Sequence, residues 1–390
     1  MIFQTPDLRD DDIEVLDLLS EQRETLRDRV AEPRRWSGTL RRMAFARAVQ
    51  GSNSIEGFNA SLDDVVAAVD DEPTLAAEEE TQLALAGYRD AMTYVLQIAD
   101  DESLEIDEGL LKSLHFMMLK YDLGKHPGRW RPGPIFIRRE ADEEIVYEGP
   151  ESAGLPDLIA EMVAAQNEDD GPVVVKAAMA HLNLTMIHPF SDGNGRMARC
   201  LQTLILARDR VVAPVFSSIE EFLGRNTEAY YAVLEEVGAG SWNPQRDARP
   251  WVRFCMRAHY LQATTTMRRR GELERLWNSC VEIAEGNQLP ERCAAGLMDA
   301  AIGLRIRRRS YRASAATAVG DDMSDLTATR DLKAMVDKGL LEAVGERRAR
   351  YYLAGDLLTL LRQEIREARP PRSEEDPFRI VQERRQLKLA

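Results

Sequence analysis

The sequence predicts a mainly α-helical protein, with one β-hairpin near its middle and a smaller α+β module towards its C-terminus. Three observations carry this. Alanine, leucine, glutamate and arginine are abundant, a mix that favours helix. Apolar residues recur at helical spacing over most of the chain before Leu289. Period-two alternation is clear at only one place in that stretch, around Ile135–Tyr147. At 390 residues the chain is long enough for two to three domains.

Residues 1–104 read as a helical region. "DDIEVLDLLSEQRETLRDRVAE" sets apolar residues on a charged background. A second helix, over about residues 40–57, runs through "TLRRMAFARAVQGSNSIEG" and stops at Gly57, a favourable C-cap residue. Asp71, Glu72 and Pro73 punctuate the connection to a long amphipathic helix, "AAEEETQLALAGYRDAMTYVLQIA".

Residues 105–260 form the central domain. Helical "DEGLLKSLHFMMLKYD" precedes a hairpin in "PGRWRPGPIFIRREADEEIVYEGP", with a polar turn at residues 140–144. Prolines at 132, 134 and 150 make this hairpin edge-like or isolated. Apolar "VVVKAAMAHLNLTMI" leads into His188, and "MARCLQTLILARDR" leads out of Gly195. "TEAYYAVLEEVGAG" and a long helix from Arg249 complete the bundle, with residues 261–288 as a linker helix.

Residues 289–356 change texture. Ser324 can cap a helix over Thr327–Lys338 that Gly339 ends, and a short hairpin containing Gly345 follows. Helix-turn-helix followed by a basic hairpin is a winged-helix pattern. Residues 357–390 end in a polar, proline-interrupted tail that reads as a partly disordered extension.

Net charge is -15, which argues against a chain that coats nucleic acid or anionic membrane non-specifically. The four cysteines are scattered, with no CxxC pair, so neither a zinc site nor a disulfide framework is expected. That usage fits a reducing cytoplasm. The N-terminus has neither a basic nor an apolar leader segment, and no apolar run is long enough to span a bilayer.

One stretch stands apart from this scaffold: "HPFSDGNGRMARC", His188–Cys200. Asp192-Gly193-Asn194-Gly195 sits between two helices, and successive backbone N–H groups in such a turn make a concave anion site. The next helix starts near Gly195 and points its positive end at the same spot. Arg196 and Arg199, three residues apart, project to roughly one side. Two guanidiniums and a nest of amides suit a polyphosphate. Asp192 makes sense beside phosphate if a hard cation such as Mg²⁺ lies between them. His188 ends the preceding helix and is the residue type for taking a proton from a hydroxyl. Together these parts describe attack by a hydroxyl on a nucleotide phosphate.

The stretch resembles the signature of the Fic (filamentation induced by cAMP) family, HPF-x-[DE]-GNGR-x-x-R, at every fixed position from His188 to Arg199. The resemblance implies a Fic-type helical bundle over residues 105–260 with the hairpin as its flap. It implies transfer of AMP from ATP to a Ser, Thr or Tyr hydroxyl of a target protein, which can be the chain itself, with release of pyrophosphate. By resemblance His188 is the general base and Asp192 the Mg²⁺ ligand. Gly193, Asn194, Gly195, Met197 and Ala198 lie along the nucleotide, and Arg196 and Arg199 bind the β and γ phosphates. Ile137 and Arg138 lie on the flap edge that holds the target's backbone. Tyr230 and Tyr231 resemble a Tyr-Tyr pair near the adenine. An asparagine that often follows that pair is absent, and Gly238 stands near its place.

"SNSIEG", Ser52–Gly57, resembles the family's inhibitory motif [ST]-x-x-x-E-[GN]. Ser52 and Glu56 are four residues apart and share a helix face. In relatives that glutamate pairs with the second arginine of the signature, here Arg199, and blocks the γ phosphate. A carboxylate in a cationic phosphate site satisfies the arginine and repels the nucleotide's tail.

Two further readings stand beside protein adenylylation. One is a DNA-binding regulator whose Fic core senses nucleotide, with Arg330 and Lys333 on the recognition helix and Arg347, Arg348 and Arg350 on the wing. The other is a Fic enzyme that uses another donor or removes AMP. No membrane partner is expected, and the sequence leaves a homodimer open.

Overall fold

The chain is dominated by helices in the computed structural model, which describes residues 1–139, 143–168, 171–320, 322–346, 350–371 and 375–389. The N-terminal region holds α1 (Asp10–Ala31), α2 (Ser37–Ile55), α3 (Leu62–Val69) and α4 (Glu79–Ile98). Three aspartates, Asp10 to Asp12, open α1 at its positive end. The central domain runs through α5 (Glu108–Leu119), β1 (Phe136–Arg138), β2 (Ile145–Glu148), α6 (Leu155–Glu168), α7 (Val173–Ile187) and α8 (Asn194–Arg208). It continues with α9 (Glu220–Arg225), α10 (Thr227–Gly238), β3 (Gly240–Ser241) and α11 (Arg249–Gly286). The C-terminal part holds α12 (Cys293–Ala301), α13 (Arg308–Val319), α14 (Asp325–Asp337), β4 (Leu341–Val344), β5 (Tyr351–Ala354), α15 (Asp356–Glu367) and α16 (Pro377–Leu389).

α7 and α8 form the centre because they are buried on almost every side: Val174 to Ile187 on one, Met197 to Ala207 on the other. They pack against each other, and the short connection between them carries the His188 stretch. α2 packs on α9 through two glycines. A Cβ on Gly51 would meet the Glu220 carbonyl at 2.4 Å, and one on Gly224 would meet Gly51 itself at 2.6 Å. The close approach of the two backbones therefore needs both residues bare.

The hairpin forms as expected, with Phe136 opposite Glu148 and Ile137 opposite Tyr147. It is not isolated, however: β3 pairs in parallel with β2, so the sheet has three strands. Tyr147 anchors it from below, its buried hydroxyl donating to the Met186 carbonyl at 2.8 Å.

No break separates residues 260 and 261, because α11 runs through as one helix. Its packing partners change instead. Trp251 to Ala258 lie in the core with α7 and α8, while Ala263 to Ala284 lie in a second core with α12–α15. This C-terminal part docks on the N-terminal helices through buried ions. Arg305 reaches Asp64 on α3 at 2.7 Å, and Arg42 on α2 reaches Asp299 on α12 at 2.6 Å. All four cysteines are free and buried.

The tail corrects the sequence expectation. Residues 377–389 form α16, which packs along α1 and α11 rather than trailing free. Val381 is buried in the main core, Phe378 lies under the Arg253 guanidinium at 4.9 Å, and Arg385 pairs with Glu14 at 2.8 Å. Phe378, Val381 and one ion pair seat a short helix most of whose other residues are polar.

The α2–α9 contact is testable. Gly51→Val should force the two backbones apart, lowering unfolding free energy by ~1–3 kcal/mol in a denaturant titration. A variant as stable as the wild type would show that the contact tolerates a side chain.

Candidate active site

α7 ends at Ile187, and His188 follows in the left-handed region with φ 50°, a conformation costly for a residue with a Cβ. Its N–H still closes the last turn on Leu184 at 3.0 Å. The Nδ1 atom lies 3.1 Å from the Thr185 carbonyl, which can only accept. Nδ1 therefore carries the proton and Nε2 keeps a lone pair. Burial lowers the His188 pKa to about 4, so the ring is neutral near pH 7.

Arg131 holds this turn in place. It is buried, and its guanidinium donates to the carbonyls of His188 at 2.8 Å, Pro150 and Gly133 at 2.5 Å each, and Ile187 at 3.5 Å. Its own N–H donates to Pro189 at 2.8 Å. One side chain thus ties the base of the hairpin to the histidine turn.

The loop itself is preorganised. Asn194 pairs both ways with Phe190, its Oδ1 accepting from the Phe190 N–H and its Nδ2 donating to the Phe190 carbonyl, each at 2.9 Å. Phe190 stacks on His115 with ring centres 3.7 Å apart. His115 Nδ1 accepts from the Gly128 N–H at 2.8 Å, so Nε2 donates to the Asp192 carbonyl at 2.9 Å. Gly193 is the N-cap of α8 with φ 77°, where a side chain would be strained and would strike Leu119 at 2.8 Å. The first amides of α8 have no partner within the helix and face out at this end.

Arg196 is almost wholly buried beneath the loop, 5.2 Å over the Phe58 ring. Its Nε and Nη1 have no hydrogen-bond partner among the described residues, nor does Arg199 Nη1. Beside the α8 amides, these open donors can bind an anion. The Asp192 carboxylate lies 3.0 Å from Lys125 Nζ and 3.9 Å from Arg196. Burial works against its charge, but Lys125 and Arg196 outweigh burial and hold it below the usual carboxylate range. Among the described residues no three His, Cys, Asp or Glu side chains gather to hold a metal. A cation here would have Asp192 as its protein ligand and would take its other oxygens from phosphate and water, the usual habit of Mg²⁺.

Arg199 is the most enclosed charge in the site. Its Nε donates to Ser52 Oγ at 2.7 Å, and Nη2 donates to the Ser52 carbonyl at 3.0 Å and to Glu56 Oε1 at 2.6 Å. Burial opposes this charge, yet Glu56 keeps the guanidinium above its ordinary pKa. Glu56 lies at the C-cap of α2, one residue beyond the helix, with Gly57 at φ 83° turning the chain away. A Cβ on Gly195 would stand 2.5 Å from Glu56 Oε1. The carboxylate therefore occupies the hollow that the glycine leaves at the start of α8.

This geometry agrees with the comparisons to known proteins. Residues 105–206 match the Fic/DOC family. The chain belongs to the Fic family. It is 30% identical over 277 residues to "Protein adenylyltransferase Fic" of Nematostella vectensis, covering 67% of this chain and 58% of that protein. It is 34% identical over 119 residues to "Protein adenylyltransferase fic-1" of Caenorhabditis briggsae, covering 28% of this chain and 20% of that one. The chain thus spans at most about three fifths of these relatives' length. The crystal structure of a Fic family protein from Desulfovibrio desulfuricans G20 overlays 91% of this chain and 99% of its own with a TM-score of 0.56, at 22% identity. That likeness shows the fold.

The remaining sequence-predicted residues of this Fic chain fall at different distances from the loop's opening. Met197 and Ala198 are fully buried, backbone included, and offer no surface to a ligand. Tyr230 corrects the expectation of a direct adenine contact: it is buried, with its hydroxyl 3.0 Å from His181 Nε2, and serves as core beneath Arg199. Tyr231 is 48% exposed and reaches the Ile55 carbonyl at 3.3 Å, so it alone of the pair offers surface. Ile137 is partly buried on β1, and Arg138 is exposed and donates to the Glu143 carbonyl at 2.9 Å. The polar turn at 140–142 lies outside the described residues. His115, Lys125 and Arg131 were not singled out in the sequence, because none has a local pattern linking it to the loop.

Arg131 gives a stability test of this arrangement. Arg131→Met would leave several buried carbonyls unpaired and should cost ~2–4 kcal/mol in denaturant unfolding. A loss under ~1 kcal/mol would mean that water takes over these bonds readily.

Proposed function

We propose that this chain is a self-inhibited protein adenylyltransferase, moving AMP from ATP to a Ser, Thr or Tyr hydroxyl of a target protein. The observation that carries the proposal is the pairing of Glu56 with Arg199 beside a complete Fic loop whose Arg196 donors are open. Relatives named as protein adenylyltransferases support the reaction class.

The reaction follows from the residues. His188 Nε2 takes the proton of the target hydroxyl as its oxygen attacks the α-phosphorus. The bond from that phosphorus to the bridging oxygen breaks, and pyrophosphate leaves with the electron pair. The amides at the start of α8 and the free N–H groups of Arg196 hold the phosphate oxygens as charge moves onto them. Mg²⁺, when bound, would offset phosphate charge at Asp192. The hairpin edge at Ile137 and Arg138 is a surface against which a target segment could add as a strand. Arg199 is the clamp for the last phosphate, and Glu56 withholds it.

Residues 289–356 fit this proposal as a winged helix whose partner is protein or DNA. In support, α13, α14 and the β4–β5 hairpin follow in that order, β5 is bridged to Ile306, and Arg330 and Lys333 are exposed on α14. Arg347 and Arg348 lie outside the described residues. No described helix is long and apolar enough to cross a membrane, and a cytoplasmic setting suits the buried free thiols.

With ATP and Mg²⁺, Glu56→Gly should raise auto-adenylylation by about tenfold or more, and adding His188→Ala should remove ~10²-fold or more. Intact-mass spectrometry for an AMP adduct reads both. No gain on removing Glu56 would sink the inhibition reading, and full activity without His188 would sink the mechanism.

The pH profile gives a second check. A histidine base works only when deprotonated. With its pKa depressed to about 4, His188 stays competent well into the acid range. In the Glu56→Gly background, kcat/KM should be level from pH 8 to 6 and fall only below about 5. A midpoint near the ordinary histidine value of ~6.5 would show that burial does not control this ring.

A further inference from the structure

Away from the loop, a cavity of about 290 Å³ opens between α2, α9, α11 and α15. Its wall is apolar on α2 at Leu40 and Met43, on α11 at Leu273 and Leu276, and on α15 at Ile365. Its charged residues are five arginines, Arg47, Arg269, Arg362, Arg366 and Arg369, against two glutamates, Glu221 and Glu272. That is a surplus of three positive charges inside a protein of net charge -15.

The carboxylates are already committed. Glu221 accepts from Arg269 at 2.5 Å on both oxygens and also pairs with Arg225, while Glu272 accepts from Arg369 at 2.6 Å. The other cations are left short. Arg47 comes no nearer to Glu221 than 4.0 Å, and its buried Nε has no partner; the same holds for Arg369 Nε. Among the described residues, Arg362 and Arg366 make no ion pair, and they lie one turn apart on α15. Burial, then the charge of Arg269, lowers the Arg47 pKa to about 9; burial and Arg366 lower that of Arg362. Arg47, Arg362 and Arg369 are half-buried and Arg366 is exposed, so these guanidiniums line the rim of an apolar hollow with their charge incompletely paired.

We propose that this cavity binds a small organic anion with an apolar body, its phosphate or carboxylate group held by Arg47, Arg362 and Arg366, and that the ligand thereby fastens α2 in its inhibitory position. The volume is at the lower end for small-molecule pockets, and a forked guanidinium suits either acid group. Coupling follows from position. Arg47 sits on α2 five residues before Ser52, so an anion that offsets its repulsion from α11 and α15 favours the form in which Ser52 and Glu56 hold Arg199. The coupling rests on the adenylyltransferase reading; the binding site does not.

The test uses the full chain with phenyl phosphate and with benzoate at matched ionic strength. Either probe should raise the wild-type melting temperature by ~2–4 °C near saturation, and comparing them identifies the preferred acid group. The Arg362→Gln/Arg366→Gln double variant should bind the better probe about tenfold or more weakly by calorimetry. Arg47→Met, which removes a half-buried cation beside Arg269, should melt no lower than the wild type without ligand and should lose the shift. Equal binding by wild type and double variant, or no binding of either probe, overturns the site whatever reaction the chain catalyses. Variant-sensitive binding that leaves wild-type auto-adenylylation unchanged overturns the fastening of α2 while leaving the adenylyltransferase reading untouched.

Discussion

Arg199 is a fully enclosed guanidinium, and its charge has to be answered by something. Leaving such an ion unpaired in a protein interior costs several kcal/mol. Two groups can answer it at this position. One is the Glu56 carboxylate that now lies 2.6 Å away; the other is a phosphate at the end of a nucleotide seated on the α8 amides. Both are anions, and in the proposed reaction both need the hollow that Gly195 leaves and Glu56 now fills. In the proposed function, competition for one buried cation inhibits the site without deforming it. The histidine turn, the Asn194 clasp and the open Arg196 donors are all in place while Glu56 is present.

What sets the competition is the position of α2. In its first half Arg42 is tied to Asp299 in the C-terminal part, and towards its C-terminal end Gly51 lies against α9 while Ser52 and Glu56 grip Arg199. The wall between these contacts holds the arginine-lined cavity. A shift of α2 therefore has to break a buried ion pair, a backbone contact and the Arg199 clasp together. A ligand moves such a helix only as far as it binds one position more tightly than another.

The loop was legible from sequence because its parts lie within twelve residues and their spacing already states their geometry. α7 was legible for a similar reason, since its burial shows as a largely apolar run, whereas α8 also buries Arg196, Arg199, Gln202 and Thr203. Glu56 is different. It lies 143 positions from Arg199, and only its resemblance to a family motif connected the two. His115, Lys125 and Arg131 had no such cue, because each reaches the loop from a separate segment and looks like an ordinary polar residue along the chain. Tyr230 and Tyr231 are adjacent, yet a helix sends them about 100° apart, one into the core and one outward. The tail misled because Phe378 and Val381 are too few to form a visible pattern, while α1 and α11 supply the groove that buries them.

Inhibition through Glu56 requires that Glu56 and Arg199 be energetically coupled in the folded chain. A double-mutant cycle on unfolding free energy, with Glu56→Gln, Arg199→Met and the pair in nucleotide-free protein, measures that coupling directly. The account predicts an interaction of about 1–3 kcal/mol, with the double variant less damaged than the two single losses added together. Strict additivity of the two substitutions would contradict this, because the carboxylate would then be a bystander to the arginine 2.6 Å away.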